Sequence, residues 1–83
     1  MIGCLICDGF PIETHHIYTR KARPDLIHVK WNLFSPICRK HHTLWHSKGT
    51  KSMAQSYQVV ETWLIDNGWE LINMAGRWKW FRQ

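Results

Sequence analysis

Side chains that can bind metals and transfer protons are concentrated between residues 38 and 46, at positions Cys38, His41, His42 and His46. If a helix begins near Cys38, then Cys38 and His41 share one side of it, because they lie three residues apart. His42 and His46 lie four residues apart and share a second side, rotated by about 100° from His41. The stretch could therefore supply ligand pairs to two sites, or to one metal site beside surface histidines.

A second metal-binding pattern stands near the N-terminus, where Cys4 and Cys7 form a Cys-x-x-Cys pair. Gly9 follows and permits the positive φ of a tight turn around a metal. With Cys38 and His41, this pair completes the four ligands of a structural zinc site. Three cysteines are an odd count, which argues against a closed disulfide framework. Cysteines at metal-like spacing beside histidines argue for a reducing compartment. We predict a Cys₃His zinc site in a treble-clef arrangement; buried cysteines without metal are the alternative.

Two adjacent histidines, His15 and His16, lie in a stretch whose alternation predicts a strand over residues 10–18. Glu13, His15 and Ile17 share one face of this strand, and His16 projects from the other. Opposite faces suit two different tasks, such as holding a metal and activating a water molecule. Two ordinary surface histidines are the alternative for this stretch taken alone.

A second strand is predicted within residues 26–34 and is expected to end at Pro36, because proline cannot donate to a strand ladder. Asn32 is a polar residue in this apolar segment, and its amide can bond to the backbone of a loop and fix its shape. His28 has no partner at a recognisable spacing, so we interpret it as a surface residue.

Gly49 is expected to end the first helix as its C-terminal cap. A second helix is predicted from Thr50, its N-cap, to residues 67–68. Its apolar stripe, which we interpret as core packing, comprises Met53, Tyr57, Val60 and Leu64. The tail predicts two short strands, 69–73 and 77–82, around a turn at residues 75–76. Tryptophans alternate with cations in the second of these strands, which is also compatible with stacking on nucleic-acid bases.

The length of 83 residues indicates one domain over residues 1–83, with a core at about 4–48 and a helix and tail at about 50–83. A chain this small is only marginally stable without a staple such as zinc. The net charge of +5 fits a polyanion partner. Candidate phosphate contacts, or else a solvated basic surface, are Arg20, Lys21, Arg23, Arg39, Lys40 and Lys48.

The N-terminal residues lack the basic leader of a signal peptide, and no apolar run approaches the ~18 residues of a membrane span. We therefore expect a soluble cytoplasmic protein with no membrane partner. If the chain is encoded by a phage, the compartment would be the cytoplasm of the bacterial host.

Taken together, these residues resemble the HNH endonuclease family, and in particular its small phage and bacterial members that add a zinc knuckle. The match covers about residues 4–46 and nine positions, in the pattern Cys4-x-x-Cys7, His15-His16, Asn32 and Cys38-x-x-His41-His42-x-x-x-His46. The resemblance implies an α+β fold with a zinc-stapled ββα-metal core of β-hairpin plus helix. The additional C-terminal helix and short β-hairpin carry no catalytic part of the family pattern.

The resemblance also implies a role for each residue. His15, His42 and His46 would hold a catalytic divalent cation, and His16 would be the general base. Asn32 would fix the loop that orients His16. Structural Zn²⁺ would be held by Cys4, Cys7, Cys38 and His41. Three imidazoles suit Zn²⁺, Ni²⁺, Co²⁺ or Mn²⁺ better than Mg²⁺, although many relatives work with Mg²⁺.

The implied activity is hydrolysis of DNA, by nicking or double-strand cleavage, which leaves a 5′-phosphate and a 3′-OH. We expect a double-stranded substrate and weak sequence specificity, because 83 residues offer little surface for reading a long site. The alternative is a non-catalytic treble-clef zinc module that binds nucleic acid or docks on a larger phage or DNA-processing complex. Two features depart from common members. The loop between His16 and Asn32 lacks glycines, and position 41 is histidine where many relatives have cysteine. The second departure leaves open how His41 and His42 divide between the two metals.

Overall fold

The computed structural model describes residues 3–83, in which two β-hairpins and two helices form an α+β structure, as predicted. The elements are β1 (Ile12–His16), β2 (Leu33–Cys38), α1 (Arg39–Ser56), α2 (Gln58–Asp66), β3 (Glu70–Met74) and β4 (Arg77–Phe81). The chain forms one compact unit up to Leu44 and a second from Trp45, with the boundary inside α1. The single domain expected over residues 1–83 stays a prediction.

The first hairpin pairs β1 with β2 in antiparallel register, with His16 opposite Leu33 at one end of the ladder. A bulge interrupts the register, because Glu13 pairs with Ile37 whereas His15, two residues on, pairs with Phe34. The extra residue therefore lies in β2. Bulges bend a strand locally and change the direction of nearby side chains. β1 is shorter than the strand predicted over residues 10–18.

The prediction that Pro36 ends the second strand is wrong, because β2 begins only at Leu33 and continues through Pro36 to Cys38. The sheet has two strands, and Pro36 lies in the bulge, so its missing N–H need not cost a ladder bond. The Pro36 carbonyl accepts a hydrogen bond from Leu5 N at 2.9 Å. Two short 3₁₀ turns, Pro24–Leu26 and Lys30–Asn32, replace parts of the segment predicted to be extended.

Helix α1 begins immediately after Cys38, as predicted, and its helical geometry is interrupted at Gly49 (φ 86°, ψ 166°). The prediction of one continuous helix from Thr50 to residues 67–68 is wrong. Tyr57 is extended (φ −131°, ψ 111°) and separates α1 from α2. The predicted core residues Met53, Val60 and Leu64 are buried. Within residues 3–83, neither helix is long and apolar enough to cross a membrane.

The C-terminal hairpin agrees with its prediction: β3 and β4 pair antiparallel from Glu70–Phe81 to Met74–Arg77. Ala75 (φ 54°) and Gly76 (φ 84°) both have positive φ at the tip. Such a two-residue loop matches the right-handed twist of its flanking strands.

Candidate metal centres

The turn that carries Cys4 and Cys7 is closed by backbone hydrogen bonds from Cys4 N to Gly9 O (3.1 Å) and from Asp8 N to Cys4 O (2.8 Å). Asp8 adopts the positive φ of 61°, so the prediction that Gly9 supplies this conformation is wrong. Aspartate tolerates the left-handed region better than most residues. Gly9 has a different role, because a β-carbon there would lie only 3.1 Å from Cys7 Sγ.

The four predicted zinc ligands come together. The ligand atoms of Cys4, Cys7, Cys38 and His41 all lie within 4.8 Å of one another, and the three cysteines are free thiols. Cys7 Sγ lies 3.7 Å from Cys38 Sγ, and Cys38 Sγ lies 3.2 Å from His41 Nδ1. Tetrahedral zinc with ordinary bond lengths holds its ligand atoms about 3.3–3.8 Å apart. The cluster could therefore hold a structural metal such as zinc.

The thiols of this cluster differ in their readiness to ionise. Burial opposes ionisation of Cys4, but hydrogen bonds with the backbone of Cys38, Ile6 and Cys7 outweigh it and lower the Cys4 pKa. A hydrogen bond with the Gly9 backbone favours the Cys7 thiolate, yet partial desolvation and the neighbouring Cys38 and Cys4 side chains raise the Cys7 pKa. Ionisation of Cys4 thus makes ionisation of Cys7 less favourable, because two negative charges would lie close together. The positive charge of a bound divalent cation would offset this repulsion.

His41 lies with the thiols and is buried, with 6% of its surface exposed. Burial lowers the pKa of His41, with a smaller effect from the charge of Lys40. The neutral imidazole is the form that binds a metal, so this environment favours ligation.

A second group comprises His15, His42 and His46, each with a ring nitrogen within 4.8 Å of those of the other two. The His15 and His42 ring centroids are 5.0 Å apart, with the rings at 75° to each other. His42 and His46 lie one turn apart on the stretch of α1 that precedes the break at Gly49. Three imidazoles would leave coordination positions open on a bound cation, as a catalytic site requires, and they fit a borderline-soft divalent metal.

His16 follows His15 on β1 and points to the opposite face of the strand. Its Nε2 lies 3.2 Å from the carbonyl oxygen of Ile27. A carbonyl can only accept a hydrogen bond, so Nε2 must carry the proton and Nδ1 remains as the basic nitrogen.

Asn32 is fully buried and connects the two ends of the loop that follows His16. Its Oδ1 accepts a hydrogen bond from Tyr18 N at 2.7 Å, and its Nδ2 donates to Tyr18 O at 3.0 Å. A longer bond of 3.5 Å reaches the carbonyl of Leu26, the residue before Ile27. Asn32 therefore holds both the chain that leaves His16 and the chain that supplies its carbonyl partner.

Glu13 is absent from the predicted site residues, yet one carboxylate oxygen lies 2.8 Å from His42 Nδ1 and the other 3.4 Å from Arg39 Nε. The hydrogen bond with His42, supported by Arg39, lowers the pKa of Glu13. Strand alternation in the sequence predicts that Glu13 shares a face with His15, and this is the one sequence feature that indicates its proximity to the histidine group. Nothing in the sequence indicates its contact with His42.

The predicted phosphate contacts are exposed: Arg20, Lys21, Arg23, Arg39, Lys40 and Lys48. Two of them have carboxylate partners. Arg23 contacts both oxygens of Asp25, at 3.1 and 3.0 Å, and Arg39 contacts Glu13. His28 is also exposed, in agreement with its interpretation as a surface residue.

Comparison of the chain with protein-family models, with curated proteins and with solved structures gives no match. The functional assignment therefore depends on the two clusters and on the residues that surround them.

Proposed function

We propose that the protein is a metal-dependent HNH-type endonuclease that hydrolyses DNA phosphodiester bonds. The observation that carries the proposal is the arrangement of His15 and His16 on β1. His15 lies in a three-histidine group, while His16 is held separately by the Ile27 carbonyl. A zinc module that only binds nucleic acid needs the Cys₃His cluster but has no need of this second set.

The proposal includes a treble-clef arrangement around structural Zn²⁺, with a ββα-metal core. It is supported by the order of the elements. The Cys4–Cys7 turn comes first, the β1–β2 hairpin follows, Cys38 ends β2, and His41 lies in the first turn of α1. The Cys4–Cys7 turn, the hairpin and the first half of α1 would thus supply the structural and the catalytic ligands.

In the proposed reaction His16 Nδ1 accepts a proton from a water molecule as the water oxygen attacks phosphorus. The bond from phosphorus to the 3′ oxygen breaks, and this oxygen takes up a proton from solvent. The products are a 5′-phosphate and a 3′-OH. A divalent cation held by His15, His42 and His46, whether Mg²⁺, Mn²⁺, Ni²⁺, Co²⁺ or Zn²⁺, would supply positive charge near the phosphate and the leaving oxygen.

The proposed substrate is double-stranded DNA read with weak sequence specificity. The net charge of +5 provides general attraction to phosphates, whereas a chain of 83 residues has little surface for reading a long site. A protein partner in a phage or DNA-processing complex would add specificity.

The test is cleavage of supercoiled plasmid by protein that carries one equivalent of Zn²⁺, with Mg²⁺, Mn²⁺, Ni²⁺, Co²⁺ or further Zn²⁺ added separately. We expect metal-dependent nicking that falls by about 10²–10⁴-fold in His16→Ala, since that is the usual contribution of a general base. His28→Ala, an exposed histidine elsewhere in the same unit, is the matched control and should keep full activity.

Two outcomes would contradict the proposal. Undiminished cutting by His16→Ala would remove His16 from the role of base. No cutting with any of these metals, in folded and zinc-loaded protein, would favour the non-catalytic zinc module instead.

A further inference from the structure

The carboxylate of Glu13 is held between two side chains from the beginning of α1. Oε1 lies 2.8 Å from His42 Nδ1, and Oε2 lies 3.4 Å from Arg39 Nε. The Glu13 side chain is 32% exposed and that of His42 22%, so the hydrogen bond between them is only partly open to solvent. The Arg39 side chain is 73% exposed, so its contact with the carboxylate is more open to solvent than that of His42.

The register of the first hairpin explains how Glu13 reaches the helix. Glu13 pairs with Ile37, and α1 begins at Arg39, two residues further along the chain. A side chain at this position of β1 therefore lies beside the first turn of α1. His15 follows two residues later on the same face of the strand, so Glu13 and His15 approach His42 from a common side.

The hydrogen bond determines which nitrogen of His42 is left for a metal. An ionised carboxylate can only accept hydrogen bonds, so the proton between Glu13 and His42 must belong to His42 Nδ1. The carboxyl group of an ordinary glutamate is ionised at neutral pH. In the neutral imidazole, Nε2 then has no proton and presents its lone pair.

We propose that Glu13 is a positioning residue of the three-histidine group, which holds His42 through Nδ1–H and so directs Nε2 to a divalent cation. The inference rests on the proposed function, in which this group is a metal centre. Carboxylates that accept the second N–H of a histidine ligand fix its tautomer and ring orientation and raise its basicity. Arg39 assists by holding the carboxylate in place.

The direct test is the tautomer of His42, read from the ¹⁵N shifts of its ring nitrogens at pH 8 in protein that carries Zn²⁺ only in the Cys₃His cluster. We expect a protonated Nδ1 in the wild type. We expect the same tautomer in Glu13→Gln, whose amide oxygen can still accept the bond, and a shift toward the other tautomer in Glu13→Ala. A protonated Nε2 in the wild type would overturn the proposal.

The second readout is the affinity of the three-histidine group for Ni²⁺, measured by competition with a chromophoric chelator. Glu13→Ala should weaken Ni²⁺ binding by about 10–100-fold, the usual effect of losing such a partner. Glu13→Gln should weaken it less. Glu61→Ala removes an exposed glutamate from α2 and should change nothing. Arg39→Gln should have a smaller effect than Glu13→Ala; an equal effect would assign the loss to the ion pair.

The two readouts separate failure of this inference from failure of the proposed function. If wild-type protein binds Ni²⁺ at the histidines and Glu13→Ala binds it equally well, only the role of Glu13 is overturned. If the wild type binds no second metal, the proposed metal centre fails. The His42 tautomer still shows whether Glu13 holds that side chain.

Discussion

At the scale of single residues, His16 and Arg23 show how a hydrogen-bond partner decides which atoms remain for chemistry. The Ile27 carbonyl engages His16 Nε2 and leaves Nδ1 as the basic nitrogen, which is the atom that the proposed mechanism uses. Asp25 engages two nitrogens of Arg23, so the group best shaped to grip a phosphate already holds a carboxylate. Sequence patterns identify both side chains as candidates but do not predict their partners. His16 and Ile27, for instance, are 11 residues apart.

The Arg23–Asp25 pair predicts a pH dependence that does not involve a metal ligand. The hydrogen bond from Arg23 lowers the pKa of Asp25. A carboxyl whose folded-state pKa is lowered contributes stability above its ordinary pKa of about 3.9, and this contribution is lost as pH falls through the lowered value. Both groups are exposed, so the energy involved is small. In Arg23→Gln we expect the Asp25 pKa, measured by NMR titration, to rise toward its ordinary value.

Lys21→Gln is the control for this titration, because it removes a nearby exposed cation that is not bonded to Asp25. It should leave the Asp25 pKa almost unchanged. An equal rise in both variants would show that general positive charge, and not the hydrogen bond, lowers the pKa.

Asn32→Ala should lower the rate of DNA cleavage more than it lowers metal affinity at the three-histidine group. The Asn32 side chain bonds to the backbone of Tyr18 and Leu26, and neither of these is a proposed ligand. Its loss leaves buried backbone groups unsatisfied, which should reduce the free energy of unfolding by about 1–3 kcal/mol. Metal titration measures the affinity, a plasmid assay measures the cleavage rate, and denaturant unfolding measures the change in stability.

Asn73→Ala is the matched control, because Asn73 is exposed and bonds only within the C-terminal hairpin turn, to Gly76 N. It should not change cleavage or metal affinity. If Asn32→Ala lowers metal affinity and cleavage rate by the same factor, then Asn32 positions the metal ligands and not the loop that holds His16.

At the scale of elements, local patterns predict the segments whose partners are close in the chain. Alternation and the turn at residues 75–76 identify the β3–β4 hairpin, and Gly49 marks the break in α1. Pro36 misleads, because a two-stranded sheet with a bulge can accommodate a proline within a strand. Tyr57 misleads as well. It occupies a position of the apolar stripe, and its N–H still bonds to Met53 O while its backbone turns extended.

The Cys₃His cluster could be predicted because two short spacings define it, and each spacing is a local property of a turn or of a helix. The three-histidine group depends on pairing β1 with β2 and then placing α1, and spacing alone does not determine that arrangement. Only the resemblance to HNH endonucleases predicts that His15 and His42 belong to the same metal site. Neither the residue spacings nor the resemblance predicts the Glu13–His42 contact, because this contact depends on the register of the bulged hairpin.

Gly49→Ala should destabilise the protein by about 1–3 kcal/mol, because φ 86° and ψ 166° is a region that only glycine adopts readily. A β-carbon at Gly49 would meet no atom within 4 Å, so backbone strain is the sole cause of the loss. Urea unfolding followed by circular dichroism measures it. Lys48→Ala, at the preceding exposed position, should have almost no effect. Equal stability of Gly49→Ala and wild type would mean that the break in α1 persists without glycine.

At the scale of the whole molecule, the free energy of metal binding is comparable to everything else that stabilises a chain of 83 residues. Small domains are stable by about 5–15 kcal/mol at most, whereas a structural zinc site contributes apparent binding energies of about 10–16 kcal/mol. The ligands of the Cys₃His cluster come from opposite ends of the first unit, the Cys4–Cys7 turn and the start of α1. Zinc would therefore hold together segments that are distant in sequence.

Cys7→Ser should consequently unfold the protein or lower its melting temperature sharply, although Cys7 itself is exposed and buries little apolar surface. The serine hydroxyl stays protonated and cannot replace a thiolate ligand. Asp8→Asn is the control in the same turn, since asparagine also tolerates the positive φ of 61° found there and leaves the ligands intact. Thermal melting with zinc analysis distinguishes the two variants. If Cys7→Ser melts at the wild-type temperature, the cluster contributes nothing to folding, and the structural role of zinc must be abandoned even if metal is bound.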